Sequence, residues 1–282
     1  MDQITENAAI LEWYLSVGVD EAIGDEPVDR FETSRRLAER AQAKAPQAPV
    51  AATSSALSPA SPAPFHGAAP AARNAPAVNP ALVENARAIA EACDDIATLE
   101  AAIRAFDGCP LKAGATHTVI ADGIAGADLM LIGEAPGADE DRLGRPFVGR
   151  AGQLLDRMLA AIGRDRARDA YIANILFWRP PANRKPDPVE TATCLPFVER
   201  LIHLSKPKVI LLLGGTPASS LLGTSEGITR LRGRWHEWHG IPAMPTLHPA
   251  YLLRQPLAKR EAWRDLLAVR RKLSGDKPSG EG

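Results

Sequence analysis

The sequence predicts an α/β protein: three layers, α/β/α, around a central four-stranded parallel sheet. Three observations carry that expectation. Four short apolar runs, at 127–135, 170–177, 207–215 and 241–247, have the length and composition of strands. Helical patterns alternate with them, which puts helices on both faces of a parallel sheet. Of the 282 residues, 45% are hydrophobic, enough for a core of that kind.

The elements follow in chain order. "TENAAILEWYLSVG" (5–18) spaces Ala8, Leu11, Tyr14 and Leu15 as a helix does, so 1–41 reads as an N-terminal helical segment whose partner the sequence does not name. Residues 42–80 are dominated by Ala, Pro and Ser and nearly lack large aliphatics. Such a stretch buries too little surface to offset its chain entropy and is expected to be a disordered linker. The globular domain is expected over 81–273, with a flexible tail at 274–282. It opens with helical patterns at 81–92 and 96–106. The strand "ADLMLIGEA" (127–135) precedes the helix "RAGQLLDRMLAAIG" (150–163), and "AYIANILF" (170–177) precedes the helix at 188–204. "PKVILLLGG" (207–215) runs into the short helix "TPASSLLG", and "IPAMPTL" (241–247) precedes the closing helix at 259–273.

The net charge of −1 gives no prior for a polyanion partner, but its distribution does. Residues 229–272 hold ten Lys/Arg against three acids, while 1–41 hold ten acids against four Arg. A basic end is the footprint of a nucleic-acid binder, or else a solvated helix face. Three widely spaced cysteines, Cys93, Cys109 and Cys194, argue for a reducing compartment rather than a disulfide scaffold. No apolar run suggests a leader or a membrane span, so a cytoplasmic monomer without membrane contact is expected.

Several chemistries lack support. There is no GxxxxGK[ST] loop, no HExxH and no paired CxxC. "GTSEG" (223–227) fits the GxSxG pattern, but it follows a helix, so Ser225 lacks the strained strand-to-helix elbow a nucleophile needs. Ligands of parallel sheets bind beyond the carboxyl ends of the strands, which directs attention to 133–150, 174–186, 214–218 and 248–254. The first of these poses a puzzle. A Gly/Pro loop opening a helix suits phosphate, yet this one carries Glu134, Asp139, Glu140 and Asp141.

Three of these segments, "GEAPGADEDRLGRPFVGRAGQLL", "YIANILFWRPPANRKP" and "HPAYLLR", occur in an order that resembles the family 4 type of uracil-DNA glycosylase, the iron–sulfur branch of that superfamily. The resemblance covers roughly 106–270. It implies excision of uracil from single- or double-stranded DNA by hydrolysis of the N-glycosidic bond, in base excision repair. The puzzle then dissolves, because a flipped base is a neutral ring rather than a phosphate.

The resemblance assigns roles. Phe147 would stack on the ring. Asn174 would pair with uracil O4 and N3–H. Gly133, Ala135 and Gly137 would offer backbone, and Glu140 would crowd the C5 edge against thymine's methyl. His248 would donate to O2 as the bond breaks, and Glu134 would orient water or stabilise the sugar cation. Tyr251, Leu252 or Leu253 would wedge the stack, while Arg145, Arg150, Arg232 and Arg254 would meet phosphates. The family also holds a 4Fe–4S cluster on four cysteines. Here Phe106 and Trp178 stand at two of those positions, and only Cys109 and Cys194 remain. A cluster needs four thiolates or close substitutes, so none is expected and no cofactor is called for; the aromatics are expected to fill the space. The competing reading is a relative that binds uracil or abasic DNA with little turnover.

Overall fold

The structure, a computed structural model, describes residues 79–275; the expected helix at 5–18, nearly all of the 42–80 linker and the tail from 276 lie outside the described residues. Two helices come first, α1 (Pro80–Glu91) and α2 (Ile96–Ala105). Each is set by its cap: the Asn79 side chain accepts from the Ala81 N–H, and Asp95 and Thr98 form a reciprocal capping box.

The sheet has six strands in the order β1-β3-β2-β4-β6-β5. Its centre is what the sequence predicts. β2 (Leu129–Gly133), β3 (Ala170–Asn174), β4 (Val209–Leu213) and β6 (Ile241–Thr246) pair parallel throughout. The first three are buried along their whole length, as strands covered on both faces must be. The expectation of a purely parallel four-stranded sheet is corrected at both edges. β1 (Ala121–Gly123) pairs antiparallel with β3, and β5 (His236–Trp238) pairs antiparallel with β6. Each edge strand has three residues, too few to show any periodicity in sequence. His239 and Gly240 join β5 to β6 with φ of 47° and 82°, the doubly left-handed conformation of a two-residue hairpin turn.

The pleat divides the core in two. Met130, Ile132, Tyr171, Ala173, Ile210 and Leu212 face one side, against α1, α2, α6 (Pro188–Ser205) and α7 (Gly215–Leu222). Leu129, Leu131, Ile172, Val209 and Leu211 face the other, against α4 (Arg150–Ala161), α9 (Pro249–Arg254) and α10 (Lys259–Ser274). Short helices α3 (Ala138–Leu143), α5 (Arg166–Asp169) and α8 (Ile228–Leu231) are the other α-helices among the described residues. β2 lies between β3 and β4, so the chain leaves it first to one side and later to the other. That reversal opens a crevice at the carboxyl ends of β2 and β4.

Candidate active site

The crevice is there. A cavity of about 510 Å³ is lined by Glu134, Ala135, Pro136 and Gly137 after β2, by Leu213, Gly214 and Gly215 at the end of β4, and by His248, Tyr251 and Arg254 after β6. Pro180, Asn183 and Arg184, from the loop after β3, close the remaining side. Each expected strand end contributes, and for one physical reason: parallel strands deliver all their carboxyl ends to one edge.

The ends of β2 and β3 meet beside Phe147. Gly133 pairs with Asn174 across the two strands. A Cβ on Gly133 would lie 2.4 Å from Asn174 Oδ1 and 2.5 Å from Phe147 Cζ, so only glycine permits these two side chains to meet there. Asn174 is 1% exposed and its Oδ1 has no hydrogen-bond partner. A buried acceptor left open is costly and calls for a donor from a ligand. Phe147 is likewise buried, with its ring centroid 5.6 Å from that of His248 and the planes tilted by 31°. An amide acceptor and an aromatic face thus converge beside an imidazole.

His248 is the N-cap of α9, and its Nδ1 accepts the Ala250 N–H at 3.1 Å. That bond places the ring proton on Nε2. Burial, with the Arg254 cation nearby, pushes the imidazole down to about 4, despite an opposing pull from Glu140. His248 is therefore a neutral donor at physiological pH. Gly214, with φ of 103°, lets the loop after β4 pass beside it; a Cβ there would come within 3.3 Å of His248 Cβ.

The four carboxylates of the first loop have separate duties. Glu134 accepts a short hydrogen bond from the Thr216 hydroxyl and faces the cavity. Asp141 is buried and accepts from the Thr116 and His117 N–H groups at 2.8 and 3.2 Å. Asp139 meets Arg142 at the surface. Glu140 is bonded within its own loop. Its Oε2 accepts from Gly137 N at 3.1 Å and its Oε1 from Val148 N and Gly149 N, both at 2.9 Å. The carboxylate stitches the loop into shape. The bond to Oε2 occupies the N–H of Gly137, which still lines the cavity. Thr216 was missed in sequence; the only signal was its place just after β4.

The outer surface sorts the expected DNA contacts. Tyr251 and Leu253 are exposed, 40% and 38%, and Arg254, Arg145 and Arg150 are exposed as well. Leu252 is 1% exposed and packs in the core under α9, so it is no free wedge. Helical spacing explains this, since one of any few consecutive residues on α9 must face inward. Arg232 is also corrected. Its guanidinium, 16% exposed, is held by the buried Asp265 carboxylate and by the Glu261 carbonyl. Burial raises Asp265 above the usual carboxylate range, against the Thr246 hydroxyl and Arg232, which draw it down. Ser225 is exposed in the loop between α7 and α8, with no strand leading into it.

Phe106, Cys109, Trp178 and Cys194 all belong to one buried cluster. Phe106 meets Phe197 edge to face at 5.0 Å, Phe177 meets Trp178 at 5.9 Å, and Trp178 Nε1 donates to Thr118 Oγ1 at 3.1 Å. Hydrogen bonding between the Cys109 and Cys194 sulfurs lowers the first thiol and raises the second. Among the described residues no three His, Cys, Asp or Glu side chains are grouped to hold a metal ion. Two thiols among aromatic rings do not fit a four-thiolate cluster. Among the described residues no helix is long and apolar enough to cross a membrane.

Comparison with known proteins adds an independent line. Residues 121–267 match the Uracil DNA glycosylase superfamily. The chain is 42% identical over 154 residues to the type-4 uracil-DNA glycosylase of Thermotoga maritima, a stretch covering 54% of this chain and 80% of that protein. It is 36% identical over 180 residues to the type-4 enzyme of Pyrobaculum aerophilum, covering 61% and 91%, and 34% identical over 189 residues to that of Saccharolobus solfataricus, covering 64% and 88%.

Proposed function

This chain belongs to the uracil-DNA glycosylase superfamily and acts as a uracil-DNA glycosylase in base excision repair, and we propose that Asn174, Phe147, His248 and Glu134 carry its chemistry without an iron–sulfur cluster. The observation that carries the assignment is the open Asn174 Oδ1, buried beside Phe147 and His248.

The substrate is uracil-containing DNA. An enzyme acting on a base must swing it out of the stack. Uracil N3–H is the donor that Asn174 Oδ1 lacks, and the amide NH₂ answers O4. Cytosine has an acceptor at N3 and a donor at C4, so it would leave Asn174 facing like against like. Phe147 supplies the stacking face, worth about 1–3 kcal/mol. As C1′–N1 breaks, the electron pair goes to uracil and spreads to O2, where His248 Nε2–H donates. A neutral donor suits this, since it stabilises the anion without needing to lose its proton. Glu134 holds the water that attacks C1′ and takes up its proton, with Thr216 fixing the carboxylate. In this scheme water, not a protein amine, attacks C1′, so the reaction is monofunctional and leaves an abasic site.

The loss of two cluster cysteines makes this a divergent member of the type-4 group. Phe106 and Trp178, packed with Phe177 and Phe197, take over the structural contribution of the metal. Tyr251, Leu253 and Arg254 face the duplex, with exposed Arg145 and Arg150 meeting phosphate.

The test is a labelled oligonucleotide with one uracil, single-stranded or opposite G or A, incubated with protein purified in chelator and then treated with alkali. Cleavage at uracil without bound iron is expected. Activity that appears only with an iron–sulfur chromophore would overturn the cluster-free reading.

A further inference from the structure

The loop that carries Phe147 is strained, and one arginine bonds the carbonyls of Pro146 and Phe147. Phe147 has φ of 54°, in the left-handed region that a large side chain rarely occupies. Left to itself, the residue would relax and carry its ring away from Asn174 and His248. Glu140 holds the Val148 and Gly149 N–H groups that follow, and two more neighbours oppose this at Phe147 itself. Gly152, on the first turns of α4, lies so close that a Cβ would be 1.8 Å from the Phe147 carbonyl oxygen. Arg166, on α5, reaches across with every arm of its guanidinium. Nη2 donates to the Phe147 carbonyl at 2.6 Å, and Nη1 donates to the Pro146 carbonyl at 2.8 Å and to Asp122 at 3.0 Å. Nε donates to Asp156 at 2.8 Å.

The anchor has its own foundation. Asp122 lies on β1, the edge strand that pairs with β3, and Asp156 lies on α4. The arginine side chain is 16% exposed and Asp122 is 20% exposed, so the charge is largely out of water and its direction is fixed. Arg166 thus ties the aromatic loop to the sheet edge on one side and to α4 on the other. A planar fork with five donors does this; a lysine offers one point charge.

We propose that Arg166 is a positioning residue for uracil excision: it holds the Pro146–Phe147 carbonyls, and through them sets the ring that stacks on the flipped base. It does not touch the substrate itself. The proposal rests on the stacking assignment of Phe147.

The experiment is a double-mutant cycle on the full chain with R166A, F147A and the double variant, assayed by uracil-oligonucleotide cleavage under single turnover. Misplacing a group in an active site by about 1 Å can cost about 10²-fold in rate. R166A is expected to lose activity on that scale. In the F147A background the same change is expected to cost little more, because Arg166 acts through Phe147. R166K is expected to fall between R166A and the wild type. A merely structural arginine would lower Tm and cost equally in both backgrounds, and that additive result would overturn the proposal. If R166A does not fold, R166K carries the same cycle, and wild-type activity in R166K would overturn it too. If F147A cleaves like wild type, the stacking assignment falls, and the proposal with it. If F147A is inactive while R166A is unaffected, the proposal alone falls.

Discussion

Replacing His248 with Asn separates the two things its imidazole does. Nδ1 caps α9 by accepting the Ala250 N–H at 3.1 Å. Asn is among the strongest N-caps, whereas Ala there costs about 1 kcal/mol. H248N therefore keeps α9 and melts close to wild type. What it loses is the Nε2–H, aimed at charge that appears only in the transition state. One such donor is worth about 10²–10³ in kcat, or about 3–4 kcal/mol. The pH dependence follows from burial, which with Arg254 holds the imidazole at about 4. An unfolded histidine titrates near about 6.5, so the unfolded chain takes the proton first as pH falls. The stability tied to His248 is therefore complete above that value and drains away between it and about 4. The rate of folded enzyme should cross pH 6.5 without an inflection from this group. Single-turnover cleavage of a uracil oligonucleotide on both sides of neutrality, with thermal melts in parallel, measures all three effects. H248N at wild-type rate would refute the donor role. A wild-type inflection near about 6.5 that H248N abolishes would refute the neutral imidazole.

Other outcomes follow from the same geometry. N174A removes a buried acceptor that has no partner, so activity on uracil should fall about 10²-fold or more while stability holds or rises; melts and rates on one preparation check this. W178A empties a site 1% exposed within the aromatic cluster and should cost about 3–5 kcal/mol in denaturant unfolding. R232A strips the partner from the buried Asp265 carboxylate and should cost about 3–5 kcal/mol as well. Its slope of log affinity against log salt should match wild type, because Arg232 is not a phosphate contact.

The parallel centre of the sheet was legible because β2, β3 and β4 are buried on both faces and must be apolar throughout. The strand ends were legible too: glycine, amide and histidine at three such ends can meet only at one sheet edge. The edge strands were not, since β1 and β5 are too short to carry a pattern. Neither was the division of Tyr251, Leu252 and Leu253 into outward and inward residues, which depends on how α9 sits over α4 and α10.

Local sequence was enough for the chemistry available: an amide, an imidazole, an aromatic and a carboxylate at the ends of parallel strands. Tertiary structure decided which atoms are free to act. It turned Glu140 inward onto loop N–H groups, bound Arg232 to Asp265, paired Glu134 with Thr216 and put Arg166 behind Phe147. The reason is that a polar side chain's role depends on which partners reach it first. Those partners lie as far as 82 residues away along the chain, as Thr216 does from Glu134, where no local pattern can record them.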